Sequence, residues 1–119
     1  EIIGDVDNLV ELAQQPDVIK IVNLVFLEAV QKRASDIHFE PYEKKYRVRL
    51  RIDGVLREVS KPPTAMGLKM AARLKVMSKM DTAERRVPQD GRIKTDKQGM
   101  EVEVRISTVP VAFGEKVVM

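Results

Sequence analysis

Between Tyr46 and Val59 the chain reads YRVRLRIDGVLREV, and this stretch leaves few options for the fold. Val48, Leu50 and Ile52 alternate with Arg47, Arg49 and Arg51. Strand side chains point to opposite faces in turn, so one face is apolar and the other is a row of guanidinium groups. Asp53-Gly54 stands between two β-rich runs, and that dipeptide tolerates the positive φ of a tight two-residue turn. Val55 to Ser60 is the return strand. The pattern predicts an arginine-faced hairpin in the middle of a sheet, its apolar side covered by helices.

A chain of 119 residues, 44% apolar and 33% charged, is the size and composition of one globular domain with a real core. It has no cysteine, which excludes a disulfide framework and a thiolate metal site and fits a reducing compartment. Residues 1–17 carry five acids and no base, so the overall +3 leaves +8 on the rest. A basic body favours an anionic partner: nucleotide phosphates, nucleic acid or an acidic protein surface. A merely solvated surface is the alternative.

Residues 1–15 have little pattern beyond a turn of helix over Asn8 to Gln15, and read as a linker or the end of a preceding domain. They lack the basic start of a signal peptide. The abrupt ends suggest an excised fragment, with the domain itself spanning 16–119. Pro16-Asp17 opens a helix in which Val18, Ile21, Val22, Val25, Ala29 and Val30 follow helical spacing. Ile19, Leu24, Phe26 and Leu27 widen the stripe, which predicts burial on more than one side. Ile37 and Phe39 then alternate with Asp36, His38 and Glu40 in a short strand. His38 between two carboxylates suggests a metal or proton-transfer group, but one histidine is one ligand where catalytic sites use three. A structural or interface histidine is the plainer reading.

Lys61-Pro62-Pro63 ends the hairpin, and Thr64 is placed to cap a second helix, Ala65 to Met80. Its methionines read as core, and Lys69, Arg73, Lys75 and Lys79 as a basic, solvated flank. Asp81 to Gly91 is rich in turn signals and reads as an ordered, non-helical connector. Arg92 to Asp96, a turn at Lys97-Gln98-Gly99 and a strand from Met100 to Val109 follow. Val102, Val104 and Ile106 face one way in that strand; Glu101, Glu103, Arg105 and Ser107 face the other. Pro110 to Gly114 is a loop, and Glu115 to Met119 another extended run. The expected fold is α+β: a mixed, mainly antiparallel sheet of about six strands with two helices on one face. No phosphate-cradling G-x-x-x-x-G-K-[ST] loop, G-x-G-x-x-G motif or zinc spacing is present.

ASDIHFEPYEKKYRVRLRIDGVLREV, RLKVMSKMDTAERRVPQDGRI and VEVRISTVPVAFGEKVVM closely resemble, in this order, the N-terminal region of the secretion ATPases of type II secretion and type IV pilus assembly. The likeness implies the PAS-like domain that precedes a RecA-like motor domain. The motor, with its Walker motifs and, in many members, a four-cysteine zinc site, would follow Met119. The fragment alone is therefore expected to be inactive.

The resemblance further implies a cytoplasmic homo-hexamer at the inner-membrane face. ATP and Mg2+ would be held mainly by the motor domain. The partners would be that domain, neighbouring subunits and an inner-membrane platform protein, through which the hexamer associates with the membrane. The family places phosphate-contacting arginines at the end of the strand matching VEVRISTVP, which assigns that role to Arg105; a second follows the residues matching EKVVM. Arg92, in PQDGR, is a further candidate for nucleotide or interdomain contact. The alternative for Arg105 is an ion pair with Glu101, Glu103 or a cross-strand carboxylate. Arg47, Arg49, Arg51 and Arg57 read as interface or solvent-facing residues. A nucleic-acid-binding module and a small-ligand sensor are the competing functions. Against the former, no stacking aromatics interleave the basic strands, and no nucleic-acid partner is expected.

Overall fold

The computed structural model describes residues 6–97 and 100–119: three α-helices, one 3-10 turn and six strands. Helix α1 (Val6–Ala13) occupies part of the predicted linker and packs beside the third helix. Helix α2 (Pro16–Gln31) begins with proline, whose missing N–H would have had no partner there anyway. Val18, Val22, Val25 and Ala29 are its buried stripe. Leu24, Leu27 and Val30 stay exposed, so α2 is covered on one side only among the described residues, not on several as predicted.

Strands β1 (Asp36–Pro41), β2 (Tyr46–Ile52) and β3 (Val55–Ser60) form an antiparallel meander. Asp53 and Gly54 take φ of 52° and 81° at the β2–β3 turn, as the dipeptide foretold. A second meander follows: β4 (Gln89–Lys97), β5 (Met100–Val111) and β6 (Gly114–Val118). The turn predicted at 97–99 lies largely outside the described residues. The meanders join where β6 pairs antiparallel with β1, Val117 opposite Phe39, giving one sheet in the order β3-β2-β1-β6-β5-β4. Every pairing is antiparallel. The arginine hairpin therefore lies at one end of the sheet, not in its middle. The local pattern could not show that β1, with its apolar Ile37 and Phe39, has a second partner from the far end of the chain.

The helices cover one sheet face. Ile37, Phe39, Val48, Leu50, Ile93, Ile106 and Val117 pack there against α2 and against α3 (Gly67–Met77). The second helix is shorter than predicted at both ends. Thr64 makes no side-chain cap; Thr64–Met66 is a 3-10 turn, and α3 begins at Gly67, against the ring of Tyr46. A Cβ at Gly67 would stand 2.9 Å from that ring. At the other end Lys79 takes φ of 61° and the Met80 N–H donates back to the Lys75 carbonyl at 2.9 Å, a left-handed cap that stops the helix. Strand β5 runs through Pro110, which was expected to open a loop. β4 pairs with β5 only as far as Gln89 opposite Thr108, so at Pro110 one edge of β5 has no strand partner and a missing N–H is tolerated. No described helix is long and apolar enough to cross a membrane.

Candidate functional site

The sheet face turned away from the helices carries Asp36, His38, Glu40, the β2 arginines, Lys116, Arg105 and Arg92, and its arginines fall into two groups of opposite character. In the first, β1 stands directly opposite β2, with Asp36, His38 and Glu40 facing Arg51, Arg49 and Arg47. Glu40 is almost wholly buried and accepts from Arg47 Nε at 3.0 Å, Arg49 Nε at 2.8 Å and Arg49 Nη2 at 2.7 Å. Lys116 Nζ stands 3.5 Å away. Burial alone would raise this carboxyl, but the hydrogen bonds from Arg49 and Arg47 and the charges of Arg49 and Lys116 outweigh it and bring the pKa to about 2. Arg51 pairs with Asp36 at 3.1 Å. His38 sits 3.9 Å from Glu40, and burial, then Lys116, hold its pKa below the ordinary histidine value. The guanidinium row predicted to face solvent or a partner is thus largely neutralised by its neighbouring strand.

The second group is on β4 and β5. The register sets Arg92 directly opposite Arg105, so the two site candidates, thirteen positions apart in sequence, become cross-strand neighbours. Like charges in that position repel and call for a counter-charge. Arg92 lies 3.8 Å from Glu103 with both side chains about half exposed, a weak pairing. Arg105 is exposed and makes no ion pair among the described residues. The pair lines a groove of about 340 Å³ with Asp90, Gly91, Ile106 and Ser107. Asp90 is its one carboxylate among the described residues, and it accepts from Ser107 Oγ at 2.8 Å.

The stretch Gln89–Arg92 builds this groove residue by residue. Gln89 fastens the connector, with Oε1 accepting from the Asp81 N–H at 3.0 Å and Nε2 donating to the Asp81 carbonyl at 3.0 Å. Gly91 lets β4 lie against the end of α3, since a Cβ there would stand 3.0 Å from the Ser78 carbonyl oxygen. Arg92 then points outward beside Arg105.

Sequence reasoning missed one buried pair. Lys75, read as part of a solvated flank, is 1% exposed and 2.6 Å from Glu115 of β6. Its ammonium also donates to the Glu84 carbonyl of the connector. The available signal was its place beside Ala71, Ala72 and Ser78, small residues that leave room for a lysine to turn inward.

The fold and this face define an α+β domain with one helix-covered and one open sheet face, the open face neutralised at one end and cationic at the other. The family described as type II/IV secretion system protein matches residues 11–119, and the chain belongs to it. The type IV pilus assembly ATPase PilB of Myxococcus xanthus is 51% identical over 116 residues, covering 97% of this chain and 20% of that protein. Type II secretion system protein E of Xanthomonas campestris is 51% identical over 115 residues, with 97% and 20% covered. Type II secretion system ATPase E of Vibrio cholerae is 47% identical over 113 residues, with 95% and 22% covered. The chain thus spans about a fifth of the length of these curated relatives.

Proposed function

We propose that this chain is the domain preceding the motor of a hexameric secretion or pilus-assembly ATPase, where Arg105 supplies a guanidinium to the γ-phosphate of bound ATP. The observation that carries this reading is the contrast between the two arginine groups. Arg47, Arg49 and Arg51 have carboxylates within hydrogen-bond reach, whereas Arg105 and Arg92 stand side by side, exposed, and among the described residues their only ion pair is the weak one from Arg92 to Glu103. A juxtaposed cationic pair on adjacent strands is suited to a multiply charged anion.

The groove fits phosphate oxygens better than a metal, since among the described residues Asp90 alone offers it a carboxylate and is already engaged by Ser107. On this reading, magnesium and the rest of the nucleotide are held mainly by the motor domain. When ATP is bound there, it supplies the scissile phosphoanhydride. On this chain, Arg105 offsets the charge that spreads over the γ-phosphoryl oxygens. Arg92 adds to the local field and steers the anion. Domain rotation about a hinge after Met119 would carry the stroke to an inner-membrane platform protein.

In the full-length protein, Arg105→Ala should lower ATP turnover by on the order of 10³, as for other arginine fingers. Nucleotide binding, followed by fluorescence of a labelled analogue, should weaken far less. Wild-type turnover in that variant removes Arg105 from the mechanism. The 119-residue chain alone should not hydrolyse ATP, because it contains no phosphate-cradling loop; a steady rate from clean protein contradicts the reading.

A further inference from the structure

Away from both arginine groups, a groove of about 540 Å³ opens where four segments meet. They are the β1–β2 turn, the first turns of α3, the connector and the β5–β6 hairpin. It shares no lining residue with the Arg92–Arg105 groove. Two residues lining it carry a buried polar atom with no hydrogen-bond partner among the described residues: Tyr46 Oη and Glu115 Oε2. Tyr46 is 2% exposed and Glu115 6%. One offers an O–H donor. The other offers a carboxylate oxygen whose twin is already held by Lys75. Both residues line the groove, and a buried donor and a buried acceptor without partners are costly, which favours a ligand that supplies them.

The rim narrows the choice. Lys45, Arg85 and Arg86 are exposed around it, and Lys45 and Arg85 make no ion pair among the described residues. Phe113 is 54% exposed, Val111 39% and Tyr42 37%, an apolar border to the same groove. Aromatic residues with arginine at a concave site are the usual anchors of protein–protein contacts. A peptide main chain carries both an N–H donor and a carbonyl acceptor at each residue, the two partners that Glu115 and Tyr46 lack. A free phosphate or nucleotide would meet the cations but leave Phe113 and Val111 uncovered.

We propose that this groove docks an extended segment of a partner protein in which an acidic side chain neighbours an aromatic or aliphatic one. The acidic side chain meets Lys45, Arg85 and Arg86. The apolar one covers Phe113 and Val111. The main chain reaches Tyr46 and Glu115.

The test is a titration of the isotope-labelled chain, followed through the amide resonances of Gly67, Phe113 and Gly114. The probes are a capped hexapeptide alternating aspartate with phenylalanine and leucine, and its lysine-for-aspartate counterpart. The acidic peptide should give saturable shifts at these amides with a Kd below about 1 mM. The lysine peptide should give none. Arg85→Glu combined with Arg86→Glu should weaken binding by about tenfold or more while leaving resonances outside the groove in place. Three results overturn the proposal: no shift with the acidic peptide, an equal shift with the lysine peptide, or an unchanged Kd in the double variant. Shifts of the same amides with inorganic phosphate or AMP alone would assign the groove to a small anion instead. Shifts on raising the protein concentration alone would assign it to a second copy of the chain.

Discussion

Glu40 is buried, and burial disfavours a carboxylate, yet two arginines and a lysine keep it ionised far below the usual range, at a pKa of about 2. A group whose pKa is depressed on folding stabilises the native state above its unfolded pKa of about 4.3, and that contribution is lost as pH falls through the folded value. The window here runs from about 4.3 down to about 2. The linkage is worth up to about 3 kcal/mol. Chemical denaturation across that window should show the wild type losing stability more steeply than Glu40→Gln, which has no carboxylate at this position to titrate. At neutral pH the same variant should be less stable by about 2 kcal/mol, since Arg47 and Arg49 are left partly buried and under-compensated. Equal pH slopes for the two proteins would mean that Glu40 is not held as the geometry indicates.

At the scale of elements, the least expected tie is Lys75 to Glu115, which joins α3 to β6 and, through the Glu84 carbonyl, to the connector leading into β4. Removing one partner of a buried pair leaves the other uncompensated, so Lys75→Met alone should cost about 3–5 kcal/mol. Lys75→Met combined with Glu115→Leu should regain most of that loss, because apolar residues of similar size can fill the space without an unpaired charge. A double-mutant cycle in urea measures the coupling. A small cost for the single lysine variant would show that the pair contributes little to joining these elements. The elements themselves were largely legible in the chain. The period-2 runs of β2 and β5 and the Asp53-Gly54 turn are local patterns, and so is the helical stripe of α2. Their limits were less legible. The end of α3 depends on a left-handed Lys79, and the passage of β5 through Pro110 depends on where β4 stops. Neither is a property of the segment alone.

For the whole molecule, the seam between β1 and β6 converts two three-stranded meanders into one sheet. Around it the N–H of Ile37 donates to the Met119 carbonyl and that of Met119 to Ile37, each at 2.9 Å. Phe39 and Val117, wholly buried, pack at its centre. If this seam is the last structure to open, native-state hydrogen exchange should find the amides of β1 and β6 protected to the level of global unfolding. The amides of β3, an edge strand with several exposed residues, should exchange through lower-energy openings. The reverse order would show that the meanders unfold independently.

The amino-acid pattern alone determined that the chain folds as helices on one face of a largely antiparallel sheet, and that arginines alternate onto the other face. Side-chain alternation and helical spacing are short-range geometry, readable one segment at a time. Only the tertiary structure decided which of those arginines are spent. Registers between strands set Glu40 against Arg47 and Arg49 but Arg92 against Arg105, and the junction of β1 with β6 drew Lys116 to Glu40. Charge compensation acts between neighbours in space, so no single segment could state in advance where positive charge would remain.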